Sequence, residues 1–234
     1  MLIRLLPLVT GLLPILAIHI SLLVAINAGV IPACFPYIEG CTSISATGRY
    51  EPASFIFKPA MMSSWAVLVL YWVYNLAWLR SLARQLDVQE KPGAAMAVLG
   101  CMGALALILY TTFLGTQAPL YEFMRRIGIY FYFGCSVIAQ ILLARATLRY
   151  AGQLALDSVI RVGRVQLGLA LVPFLLGALN LILKNTLGNP DPIENVIEWI
   201  FALLMHVFFL LSYLTWRDTG FSSRFDVATG PSRS

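Results

Sequence analysis

AAMAVLGCMGALALILYTTFL, residues 94–114, runs from end to end without a charged side chain. About 20 residues of helix cross the ~30 Å hydrocarbon layer of a bilayer. A backbone in oil has to satisfy its own hydrogen bonds, and a helix does so within one segment. Working outward, the same reading applies to residues 5–28, 61–82, 127–148, 165–183 and 196–213. These six stretches predict an all-α polytopic membrane protein, with residues 1–219 as one six-helix transmembrane domain. Composition agrees: the chain of 234 residues is 59% hydrophobic and 12% charged, with a mean hydropathy of +0.81. That lies well outside the range of soluble domains.

The net charge of +5 raises the question of nucleic acid. Lys and Arg fall in the connections between apolar stretches, where anionic headgroups are met, and no basic stripe interleaved with aromatics projects into water. Nucleic-acid binding is therefore set aside. Positive charge also orients the chain. Eleven cations (Arg4; Arg80, Arg84, Lys91; Arg145, Arg149, Arg161, Arg164; Arg217, Arg224, Arg233) fall on the side of the termini, against five (Arg49, Lys58, Arg125, Arg126, Lys184) on the other. This bias predicts cytoplasmic termini, an extracytoplasmic loop at 29–59 and residence in a plasma (inner) membrane. The first apolar stretch exceeds the usual length of a signal-peptide core and carries His19, so it reads as a retained helix. Residues 220–234 hold turn formers, mixed charge and little apolar content, the composition of a disordered tail.

The loop IPACFPYIEGCTSISATGRYEPASFIFKP, residues 31–59, lacks helical periodicity yet holds Phe35, Tyr37, Tyr50, Phe55 and Phe57. So many rings predict an ordered cap packed over the helix ends rather than a solvated linker. Cys34 and Cys41 lie within it. Spacing leaves two readings open, a disulfide on an oxidising side or two free thiols. No Cys/His spacing predicts a metal, no Gly-rich loop cradles phosphate, and no cofactor is called for.

The stretch Ser43-Ile44-Ser45-Ala46-Thr47-Gly48, followed by Pro52 and Ile56-Phe57, resembles the first-loop signature of the Frag/DRAM/Sfk family. A second point of similarity is Glu198-Trp199 in the last span, which ends in Tyr213-Leu214-Thr215-Trp216. The resemblance implies six spans with an ordered first loop. It also implies a role among those associated with the family: GPI-lipid remodelling, plasma-membrane phospholipid organisation, or lysosomal and autophagic regulation. The short loops look like those of a minimal, bacterial member, and a bacterial host has no GPI anchors.

Ionisable groups inside spans are costly and mark functional candidates. His19 and Glu198 each fall roughly 8–10 Å below the outer interface at a rise of ~1.5 Å per residue, with Asn180 near the same level. His206, Gln140 and Asn75 fall deeper, at roughly 20–24 Å. His19 with Glu198 is the candidate acid/base pair for a lipid headgroup or ester, and a structural hydrogen bond between spans one and six is the plainer alternative. Ser43, Ser45, Thr47 and Arg49 offer donors to a headgroup, with Asn180 in the wall below. Arg49 is the natural anion ligand, because a guanidinium grips phosphate bidentately.

The expected function is therefore binding, organising or assisting the remodelling of outer-leaflet lipid through a cavity under the cap. A membrane acyltransferase or hydrolase using His19 and Glu198 is the alternative, as is a scaffold without a ligand. The basic connection with Arg145, Arg149, Arg161 and Arg164 reads as an orientation signal or as a site for anionic inner-leaflet lipid. Gly100, Gly103 and Ala104 predict a close helix contact in span three.

Overall fold

A computed structural model describes residues 2–87, 93–186 and 191–222, with the side chains of residue 2, residues 180–181 and residues 183–186 excepted. Six long helices carry the architecture: α1 (Leu6–Asn27), α4 (Ser54–Gln85), α5 (Ala94–Thr112), α6 (Pro119–Gln153), α7 (Asp157–Thr186) and α8 (Asp191–Asp218). Two single-turn helices, α2 (Pro36–Glu39) and α3 (Ile44–Thr47), lie between α1 and α4. Each of the six is long and apolar enough to cross a membrane, and no strand occurs among the described residues.

The helices overrun the apolar stretches that announce them. α4 begins at Ser54, so the last six residues of the expected loop, Lys58 among them, are helical. α6 and α7 begin about two turns early, at Pro119 and Asp157. Hydropathy marks the part of a helix that lies in oil, whereas its hydrogen-bond ladder continues into the polar interface.

Each long helix packs on its neighbour in sequence, and α8 closes back on α1, so the six form a ring. The interior is filled by large rings, with Trp72, Trp78, Trp199, Trp216, Tyr71, Phe208 and Phe209 almost wholly buried. α5 approaches α4 closely because Gly100 has no side chain: a Cβ there would stand 2.2 Å from the Trp72 ring. Gly103 makes the same allowance for Ser136 on α6, as the small-residue face predicts.

Away from the cap, polar side chains tie α4, α7 and α8. The Tyr71 hydroxyl pairs with Ser212 Oγ at 2.7 Å, and Gln166 Nε2 donates to the same Ser212 at 2.9 Å. Trp216 Nε1 donates to Asn75 Oδ1 at 3.2 Å. At this end Arg4 donates to the carbonyls of Phe221 and Gly220 at 2.7 and 2.8 Å, which places both ends of the helical bundle on one face. The opposite face carries the cap.

Candidate functional site

The cap is a folded structure with its own local logic. Phe35 N–H bonds to Glu39 Oε1 at 2.6 Å and starts α2; Gly40 ends it in the left-handed region at φ 61°. A Cβ at Gly40 would also fall 1.9 Å from the Pro192 carbonyl oxygen, so glycine is required there twice over. Cys34 and Cys41 form a disulfide across α2, with Cα atoms 6.6 Å apart, which decides between the two readings the spacing left open.

The motif around α3 is explained by packing. Ser43 Oγ accepts from Ala46 N at 3.1 Å as an N-cap. Thr47, fully buried, donates to the Ile44 carbonyl at 2.7 Å. Gly48 lies against Phe57, whose Cγ is 2.1 Å from where a Cβ would sit. Ser43 and Thr47 therefore serve the turn itself, and Thr47 is sealed from any headgroup. Ser45 differs: its Oγ pairs with the Tyr110 hydroxyl of α5 at 3.0 Å.

Three further bonds fasten the cap to the bundle. Trp199 Nε1 donates to the Thr42 carbonyl at 2.9 Å, and Asn195 Nδ2 donates to the Gly40 carbonyl at 2.7 Å, both from α8. Tyr37 O–H meets His19 Nε2 at 3.0 Å. The other His19 nitrogen, Nδ1, lies 2.7 Å from the Ile15 carbonyl, which can only accept, so Nδ1 carries the proton and Nε2 accepts from Tyr37. The His19 ring also stacks on Tyr37, at 5.9 Å between centroids, and meets Trp199 edge-on at 5.6 Å.

Spans one and six are thus adjacent, as an encounter of His19 and Glu198 requires, but His19 meets α8 at Trp199. Both of its ring nitrogens are bonded to groups other than Glu198. Glu198 faces a separate cavity, within hydrogen-bonding reach of the backbone amides of Ile44 and Ser45. That cavity offers ≈ 20 Å³ to the centre of a water molecule and is lined chiefly by apolar groups together with Glu198, His206, Tyr110 and Tyr132. A smaller one of ≈ 10 Å³ holds His19, Tyr37 and Trp199. One water needs about 10–15 Å³ by this measure. Each of these two spaces among the described residues is smaller than a lipid headgroup.

Cationic groups gather at the rim instead. Lys58 Nζ and Arg49 Cγ lie 3.7 and 3.6 Å from the position a Gly115 Cβ would take. Arg125, from α6, comes within electrostatic range of Tyr110, as do Arg49 and the Glu198 carboxyl. All three cations are half-buried, and among the described residues none forms a salt bridge. Lys58 and Arg125 escaped the sequence reading because cations near span ends read equally well as orientation signals. Tyr110 was hidden in an apolar run.

The Asn180 side chain lies outside the described residues, as do residues 223–234 of the expected tail. Arg145, Arg149, Arg161 and Arg164 are exposed where α6 turns into α7. No cluster of three or more His, Cys, Asp or Glu suited to a metal occurs among the described residues.

A family model described as Frag1/DRAM/Sfk1/Cwh43P N-terminal domain matches residues 3–219. No curated protein and no solved structure matches the chain.

Proposed function

The chain belongs to the Frag1/DRAM/Sfk1/Cwh43P family, and on that premise we propose that it binds the phosphate-bearing headgroup of a membrane lipid at the rim of its cap, so organising or presenting that lipid in the outer leaflet. The observation that carries this reading is the gathering of Arg49 and Lys58 at Gly115, with Arg125 near Tyr110, all three half-buried and none in a salt bridge among the described residues. Like charges brought together and partly stripped of water repel one another. An anion relieves that repulsion, and a guanidinium beside an ammonium offers phosphate both a fork and a point charge.

The surroundings suit a lipid rather than a soluble anion. Phe55, Tyr121, Phe123 and Tyr130 are exposed at this end of α4 and α6, a belt of rings of the kind found at headgroup depth. The fastened cap gives the rim a fixed shape. The excess of positive charge on the opposite face supports a cap outside the cell, and with it a site in the outer leaflet.

The test is thermal unfolding of the purified protein in neutral detergent, titrated with phosphatidylglycerol, phosphatidylcholine or inorganic phosphate. Both phospholipids should raise the Tm more than phosphate does at equal concentration, and the R49Q/K58Q double variant should lose most of that rise. An equal rise in the double variant would overturn the proposal. A rise with phosphate alone would mean a soluble anion.

A further inference from the structure

From Leu5 to Ile38 the sequence holds no Asp, Glu, Lys or Arg, and the first such side chain after Arg4 is Glu39. A chain that leaves the bilayer for water turns polar where its helix ends. This one stays free of charge well past Asn27, the last residue of α1. Even Glu39 turns back on its own helix, where its carboxylate accepts the Phe35 N–H at 2.6 Å.

What the segment exposes is apolar. Ile38 is 77% exposed, above every other large apolar side chain among the described residues, including Leu175 of the α7 span at 64%. Phe35, three residues back, is 56% exposed, and Val30, Pro32 and Ala33 are exposed as well. Apolar side chains scattered singly over a surface need no explanation, but a group of them marks a place of contact.

The tethers of the cap fix the depth of this group. Gly40 lies side by side with Pro192 in the first turn of α8. That turn also carries Asp191 and Glu194, so it belongs to the interfacial layer. Tyr37 reaches down the seam between α1 and α8 to His19, about two turns below the end of α1. α2 therefore stands beside the outermost helical turns, not above them. The exposed apolar stripe of α1, Leu16, Ile20 and Leu23, runs up to the same level and continues into Val30.

We propose that α2 is an interfacial membrane anchor, with Phe35 and Ile38 inserted into the leaflet on the cap side at the boundary between headgroups and acyl chains. The partner of this surface is the bilayer itself, which takes up apolar side chains at that depth. The cap is then held against lipid along the α1–α8 seam, on a different flank from Lys58 and Arg125.

The test uses the full-length protein with ¹³C-methyl isoleucine in phosphatidylcholine nanodiscs. The Ile38 resonance is the one lost in I38V, a change that trims one methyl from an exposed side chain and leaves the fold alone. A lipid carrying a nitroxide near the top of its acyl chain should broaden this resonance several-fold more than a water-soluble gadolinium chelate does. Ile20, found in the same way with I20V, serves as the lipid-facing standard. Equal or greater broadening by the chelate would place Ile38 in water and overturn the proposal. Protection from both agents would mean that protein covers it, a second copy included, and would overturn the proposal too.

Discussion

The indole N–H of Trp199 donates to the backbone carbonyl of Thr42, 2.9 Å away, and so pins the cap to α8. Trp199 is 1% exposed and Thr42 is 5% exposed, so neither group has water as a substitute partner. Replacing Trp199 with Phe keeps an aromatic ring but strands the carbonyl. An unsatisfied buried acceptor costs about 1–3 kcal/mol. W199F should therefore unfold at lower temperature than wild type by circular dichroism in detergent, and its cap should become more sensitive to protease. Unchanged values of both would show that the bond contributes nothing.

The contact between α4 and α5 makes a second, sharper case. A Cβ at Gly100 would lie 2.2 Å from Cδ2 of the fully buried Trp72. An indole wedged in a helix bundle has no free end to swing away, so the helices must part. Overpacking of this kind costs typically about 1–3 kcal/mol. G100A should lower the Tm clearly, whereas G134A, with nothing within 4 Å, should leave it nearly unchanged. Equal effects from the two would refute the packing argument.

The membrane fold was legible in the sequence because oil imposes a simple rule, and a charge-free stretch such as residues 94–114 obeys it visibly. The ordered cap was legible from rings such as Tyr37 and Phe57, which have little reason to cluster in a solvated loop. The details of the site were not. His19 and Glu198 stand at similar depths, but depth says nothing of azimuth, and the side chain that turns toward His19 is the neighbouring Trp199. Ser43 and Thr47 look like donors awaiting a ligand, yet short polar side chains bond first to their own backbone. The rim cations could not be grouped from sequence at all, since Arg49, Lys58 and Arg125 come from the cap, α4 and α6, which only folding brings together.

The Cys34–Cys41 bond closes a short loop around α2. By chain entropy a loop of this size stabilises by about 2–3 kcal/mol, chiefly by restricting the unfolded state. A reductant should lower the Tm of wild type, and C34S/C41S should show the lower value with or without reductant. A wild-type Tm indifferent to reductant would mean that the tethers to Trp199, Asn195 and His19 already hold the cap.

Tyr37 gives the cap a dependence on pH. Burial holds its hydroxyl above the ordinary pKa of 10.0, and its proton is the one donated to His19 Nε2. Below pH 10 the folded and unfolded chains both keep this proton, so its contribution to stability is complete. Above pH 10 the unfolded chain releases it first, and stability falls as pH rises toward the folded value. Y37F has no proton to lose. The Tm of wild type should therefore drop more steeply than that of Y37F between about pH 9 and 11, the other tyrosines being common to both proteins. Parallel curves would mean that the Tyr37 hydroxyl titrates alike in the two states, and the bond to His19 would then carry no weight in holding the cap.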